Sequence, residues 1–220
     1  EEEKKLQKRK ETQHKIAKNK DKKYQDDPTK IKHFGIWFDN NENAKLTKET
    51  YAKIDKKVHN KPSVFTLRFY NENPDIRRKT FDDENCTIYS DEWCAQHRKD
   101  CLKNFDLNMS FFSNLDQEKF NKSLLNLLKR RKGFEEIYDI NDCEDLEGIY
   151  VMVLDHYKQI YIGQSSNIKK RVLQHWRKKK EFDKLIFGSV ESSVLSVDVF
   201  GCLDTTRIFI LKTKTLWDLD

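Results

Sequence analysis

The chain has 220 residues, a length that fits one domain or two small ones. Charged residues make up 36% and hydrophobic residues another 36%, polar for a globular protein, but 12% aromatics exclude a wholly disordered chain. The net charge of +6 suits an anionic partner. No apolar run approaches the roughly 18 residues needed to cross a bilayer, which argues against a membrane protein. Five cysteines are spread widely with no signal peptide ahead of them, which points to a reduced, cytoplasmic compartment.

Residues 1–32 are rich in Lys and Glu and carry few apolar residues without a helical period. They read as a charged arm, either a frayed helix or disordered, or as a basic segment lying along nucleic acid. Residues 33–132 read as a mixed α/β N-terminal domain suited to target recognition. Within it HFGIWFD and SVFTLRFY look like strands, rich in aromatic and β-branched residues. LTKETYAKIDKKVHN looks like a helix capped by Thr47. SDEWCAQHRKDCLKNF also looks helical, with Asp91 as a cap. Cys86, Cys94, His97 and Cys101 are enough ligands for a tetrahedral zinc ion. The tight C-x2-C knuckle is missing, however, and steps of three and four equally suit a helix face packed into the core. SNLDQEKFNKSLLNLLKRRK forms a third helix, with Leu115, Phe120, Leu124, Leu127 and Leu128 as its stripe and Gly133 as its stop.

Residues 133–145 are acidic and read as a linker, followed by a domain over 146–220. GIYVMVL and QIYIG are apolar runs joined by the polar DHYK, the pattern of a buried β-hairpin. Tyr150 and Tyr161 then lie near one another. Gly163 ends the second strand, and Gln164, Ser165, Ser166 and Asn167 make a polar turn. IKKRVLQHWRKKKEF reads as an amphipathic helix whose Ile168, Val172 and Trp176 face the sheet. Asn167, Arg171 and His175 fall on another stripe, which brings a guanidinium and an imidazole toward the tyrosines. From Lys169 to Lys180 seven Lys or Arg occur with no acid.

These features resemble the GIY-YIG nucleases. The resemblance rests on Gly148-Ile149-Tyr150, on Tyr161-Ile162-Gly163, on Gly163-Gln164-Ser165 and on Arg171 with His175. It implies an α+β fold, a small α/β sandwich around a three-stranded antiparallel sheet, with SSVLSVDVFG as third strand and LDTTRIFILKTKT opening the next helix or turn. It implies a metal-dependent endonuclease hydrolysing DNA phosphodiester bonds. Tyr150 would act as base or orient water, Tyr161 would hold the phosphate or support Tyr150, Arg171 would stabilise phosphoryl charge, and His175 would move protons. Gly163, Gln164, Ser165, Asn167, Lys169, Lys170, Arg177 and Lys178 would touch DNA, with the basic run Arg177 to Lys180 on the backbone. The cofactor implied is a divalent metal, Mg2+ or Mn2+.

The glutamate that would hold that metal is missing from the pattern. Beyond Phe182, in the zone where it should lie, the carboxylates are Asp183, Glu191, Asp198, Asp204, Asp218 and Asp220, none in a helical Glu context. The expected ligand therefore lies beyond Asp220, in a longer chain. The rival readings are a degenerate site, giving an inactive nucleic-acid-binding or adaptor module that keeps the fold, and RNA as substrate.

Overall fold

A computed structural model of the chain describes residues 21–54, 64–74 and 89–213. Most of the charged arm, the end of the expected 46–60 helix, Cys86 and the carboxylates of Asp218 and Asp220 lie outside these residues. The elements in chain order are β1 (Lys30–His33), β2 (Ile36–Asp39), α1 (Lys48–Tyr51), α2 (Val64–Glu72), α3 (Asp91–Ser113) and α4 (Gln117–Arg130). Then follow β3 (Glu135–Ile137), β4 (Gly148–Leu154), β5 (Gln159–Ser165), α5 (Ile168–Arg177) and β6 (Arg207–Lys212), with short 3-10 turns between them.

β1 and β2 pair as a separate two-stranded hairpin. The main sheet has four antiparallel strands in the order β3-β6-β4-β5. Four strands replace the three expected, because Glu135–Ile137, inside the segment read as linker, pairs with β6 as an edge strand. The third strand also comes from a different place. SSVLSVDVFG does not extend: Val197–Val199 form a 3-10 turn capped by Ser196, and the Ser193 hydroxyl accepts from the backbone of Phe187. Serines that bond nearby backbone compete with a strand ladder in this way. RIFILK, expected as a helix or turn, supplies the strand instead, since Ile208, Phe209 and Ile210 are buried between two neighbouring strands.

SVFTLRFY is helical over Val64–Glu72, where an ion pair joins Arg68 to Glu72 one turn on. An aromatic run of this length fits either period, and among the described residues it has no strand to pair with. The helix read over 90–105 continues to Ser113, and its cap is Ser90, whose hydroxyl accepts from the Trp93 N–H, not Asp91. Thr47 caps α1 as the spacing indicates, in a reciprocal arrangement with Thr50.

Alternation along β4 decides which helix lies on which face. Tyr150 and Met152 point to the side of α5, together with Ile208 and Ile210 of β6. Val151 and Val153 point to the other side, where Phe209 and the Leu124 of α4 complete a smaller cluster. On α5, Ile168 and Val172 are fully buried and Trp176 nearly so, at steps of four. Each such burial contributes about 2 kcal/mol, and together they hold α5 against the sheet. A third cluster joins α1, α3 and residues 182–200, with Tyr51, Phe105, Phe112 and Phe182 at its centre.

Among the described residues no helix is long and apolar enough to cross a membrane.

Candidate functional site

The register of the β4–β5 hairpin places Tyr150 opposite Gly163. A Cβ at Gly163 would lie 2.3 Å from the Tyr150 hydroxyl and 2.4 Å from its ring carbon Cζ. The glycine therefore opens the space the phenol occupies. The tyrosine is fully buried there and its hydroxyl reaches α5, 2.9 Å from His175 Nε2.

His175 is buried and engaged at both ring nitrogens. Its Nδ1 lies 2.7 Å from an oxygen of Asp198, whose side chain stays about a third exposed. Asp198 sits in the 3-10 turn that took the place of the expected strand, so the turn itself presents the carboxylate. The Tyr161 ring stands 4.9 Å from the His175 ring, nearly edge-on, and 6.1 Å from Tyr150. Burial pushes the Tyr150 phenol up to about 12, with the charge of Tyr161 adding and Arg171 opposing. Burial works against the Arg171 charge, yet the Tyr150 and Tyr161 phenols outweigh it and raise the guanidinium above its ordinary value. Tyr150, Tyr161, Arg171 and His175 thus converge, and Asp198 joins them.

The other residues singled out in the sequence have local partners. Asn167 caps α5 by accepting from the Lys170 N–H at 2.8 Å. Ser165 bonds both backbone groups of Asn167. Lys169 pairs with Glu144 at 3.2 Å. Gln164 is exposed on β5 opposite Ile149. Lys169, Lys170, Arg177 and Lys178 border a shallow surface groove along α5.

A cavity of about 280 Å³ is lined in part by His175 and Asp198. Its walls are apolar where Trp176, Phe182 and Phe200 stand, and Lys45, Lys53, Lys178, Lys179 and Lys180 surround them. Asp204 fixes the far wall without facing the cavity. It is fully buried and accepts from the backbone of Leu46 and Gly201, both at 2.7 Å, and from the Tyr157 hydroxyl at 2.8 Å. That carboxylate ties residues 44–46 to the 201–204 turn.

Asp198 is the residue that sequence reasoning missed. It was one of six carboxylates with no pattern around it, and 23 residues separate it from His175. No period or motif links the two.

Among the described residues Cys94, His97 and Cys101 do not come together as zinc ligands. His97 Nε2 lies 2.9 Å from the Phe182 carbonyl and its ring stacks on Trp93, while Cys94 and Cys101 are buried in the core. Among the described residues no group of three or more His, Cys, Asp or Glu side chains is arranged to hold a metal ion. Cys94, Cys101, Cys143 and Cys202 are all free thiols, buried, and pushed up by that burial.

A family model described as N,N dimethylarginine dimethylhydrolase, eukaryotic, matches residues 74–210, more than half of the chain. No curated protein and no solved structure matches it. The family match overturns the GIY-YIG nuclease reading and what followed from it: the endonuclease activity on DNA, the magnesium that would serve it, DNA as partner and the inactive nucleic-acid-binding alternative. The physical reason lies in the motif itself. Tyr150 needs a glycine opposite, and a seven-residue β4 paired with a seven-residue β5 puts Gly163 there. The two tripeptides record a packing requirement of the hairpin and name no substrate. The chain belongs to the eukaryotic N,N-dimethylarginine dimethylhydrolase family.

Proposed function

We propose that the protein is a hydrolase of the guanidino C–N bond in methylated arginine, working at the cavity beside Asp198 and His175. The substrate class comes from the family's name. The chemistry is carried by one observation, the chain Asp198–His175–Tyr150, in which both ring nitrogens of a buried imidazole are engaged.

The apolar walls of the cavity suit the substrate's methylene chain, and a lysine at the rim suits its α-carboxylate. Asp198 is the acidic residue of the lining and takes the cationic guanidinium, a charge-assisted pairing of planar groups. Water adds to the guanidinium carbon and gives up a proton to Asp198, which the His175 Nδ1–H holds in place. The tetrahedral carbon then collapses: Asp198 returns its proton to the leaving nitrogen, the C–N bond breaks, and the hydroxyl proton passes to the departing amine, which leaves as dimethylammonium. Guanidinium plus water thus yields a urea group and dimethylammonium, with charge and atoms conserved. Tyr150 stays protonated at neutral pH, because burial holds its phenol up to about 12, and donates to His175 Nε2. Tyr161 and Arg171 hold that phenol in place.

The described thiols do not supply the nucleophile in this reading. Reactive cysteines are exposed and have depressed pKa values. The four here are buried with raised ones.

The test is incubation of the purified full chain with N,N-dimethylarginine and with unmethylated arginine, measuring the ureido product and dimethylamine. Release from the methylated substrate, reduced at least a hundredfold in Asp198→Asn, is the expected outcome. A folded protein that produces neither compound overturns the reading.

A further inference from the structure

The cavity carries more positive charge than an amino-acid substrate neutralises. Five lysines line it, Lys45, Lys53, Lys178, Lys179 and Lys180, against the single acid Asp198. Lys53 is answered by Glu42, which also acts on Lys179, whose ammonium bonds the Asn43 amide oxygen. Asp198 is already engaged with His175. Lys45, Lys178 and Lys180 have no acidic side-chain partner among the described residues. One α-carboxylate offsets one of these charges and leaves the rest facing a half-enclosed space.

The lysines come from two separate pieces of chain. Lys45 and Lys53 flank α1, and Lys178, Lys179 and Lys180 follow α5. The buried carboxylate of Asp204 pins one piece against the structure, and the Lys180 N–H donates to the Asp198 carbonyl on the other side. The backbones carrying the ammonium groups are therefore fixed around the cavity. Ammonium groups are compact, strongly hydrated charges that bind phosphate as point charges. Edges of Trp176, Phe182 and Phe200, rings otherwise buried in the core, complete the lining.

We propose that this cavity also binds a small phosphomonoester with an apolar body, with the phosphate among Lys45, Lys178 and Lys180 and the body against the apolar lining. Such a ligand covers the Asp198 carboxylate and competes with any substrate seated there, so it inhibits.

The test is direct binding of phenyl phosphate to the full chain by titration calorimetry at low salt, with inorganic phosphate in parallel. The expected result is saturable binding of phenyl phosphate, at least tenfold tighter than inorganic phosphate. It weakens at least tenfold in the folded Lys45→Ala/Lys180→Ala variant and at high ionic strength. No saturable binding, equal binding of both anions, or unchanged binding by the variant overturns the proposal. Because binding is read without turnover, loss of this site and failure of the hydrolase reading are separate results.

Discussion

The Tyr150 hydroxyl and the His175 imidazole meet at 2.9 Å inside the protein, one on the central strand β4 and the other on α5. The contact is buried on both sides. Removing one member therefore leaves the other without its partner. Tyr150→Phe keeps the ring and loses the hydroxyl, so the fold survives at a cost of about 1 kcal/mol. Turnover of dimethylarginine is expected to fall by roughly a hundredfold with KM little changed. Steady-state kinetics beside a urea melt separates the two effects. A variant with wild-type kcat removes Tyr150 from the proton path.

Gly163→Ala tests the packing account of the paired tripeptides. Its Cβ would overlap the Tyr150 phenol at 2.3 Å, and the strand register gives the ring nowhere to go. Overpacking of this kind costs about 1–3 kcal/mol. Thermal unfolding is expected to shift down accordingly, and an unchanged melting temperature contradicts the account.

Asp204→Ala removes a carboxylate that serves two backbone N–H groups and the Tyr157 hydroxyl with no exposure to water. Leaving these donors unpaired costs about 3 kcal/mol or more. Denaturant titration reads the loss, which is expected to exceed that of any surface aspartate, such as Asp106 in its exposed pair with Lys48.

Stability is expected to fall on the alkaline side. Burial raises Cys143 and Cys202 to about 11 and Cys101 and Tyr150 to about 12. In the unfolded chain thiols titrate near 8.5 and phenols near 10. Above those values the unfolded state has released protons that the folded state still binds, so stability decreases as pH rises. It is fully present below about pH 8 and is lost progressively through the folded values. Urea midpoints at pH 7, 9 and 10.5 check this, and a flat profile contradicts it.

The same burial predicts that native protein at neutral pH resists alkylation at Cys94, Cys101, Cys143 and Cys202. Peptide mapping after iodoacetamide is expected to find these four modified only after denaturation. Turnover is expected to survive iodoacetamide treatment of the native protein.

The local part of this architecture was legible in the sequence because its signals are local. Apolar runs at 148–154 and 159–163 around a polar tetrapeptide specify a hairpin. Ile168, Val172 and Trp176 at steps of four specify the buried face of α5, and Thr47 ahead of a helical pattern specifies its cap, whereas the cap of α3 fell on Ser90 rather than Asp91. The convergence of Tyr150, Tyr161, Arg171 and His175 follows from those same two elements lying next to each other. Tertiary structure decided what has no local period. RIFILK became a central strand because β4 offered it an open edge, and SSVLSVDVFG became a turn because its serines bond neighbouring backbone. That turn carries Asp198 to His175 across 23 residues and puts a carboxylate on the cavity wall. The strand-or-helix choice at 64–72 was likewise open to an aromatic run that suits both. A short motif that satisfies packing does not specify the reaction, because the glycine opposite Tyr150 is required by the space the ring fills, whatever chemistry takes place nearby.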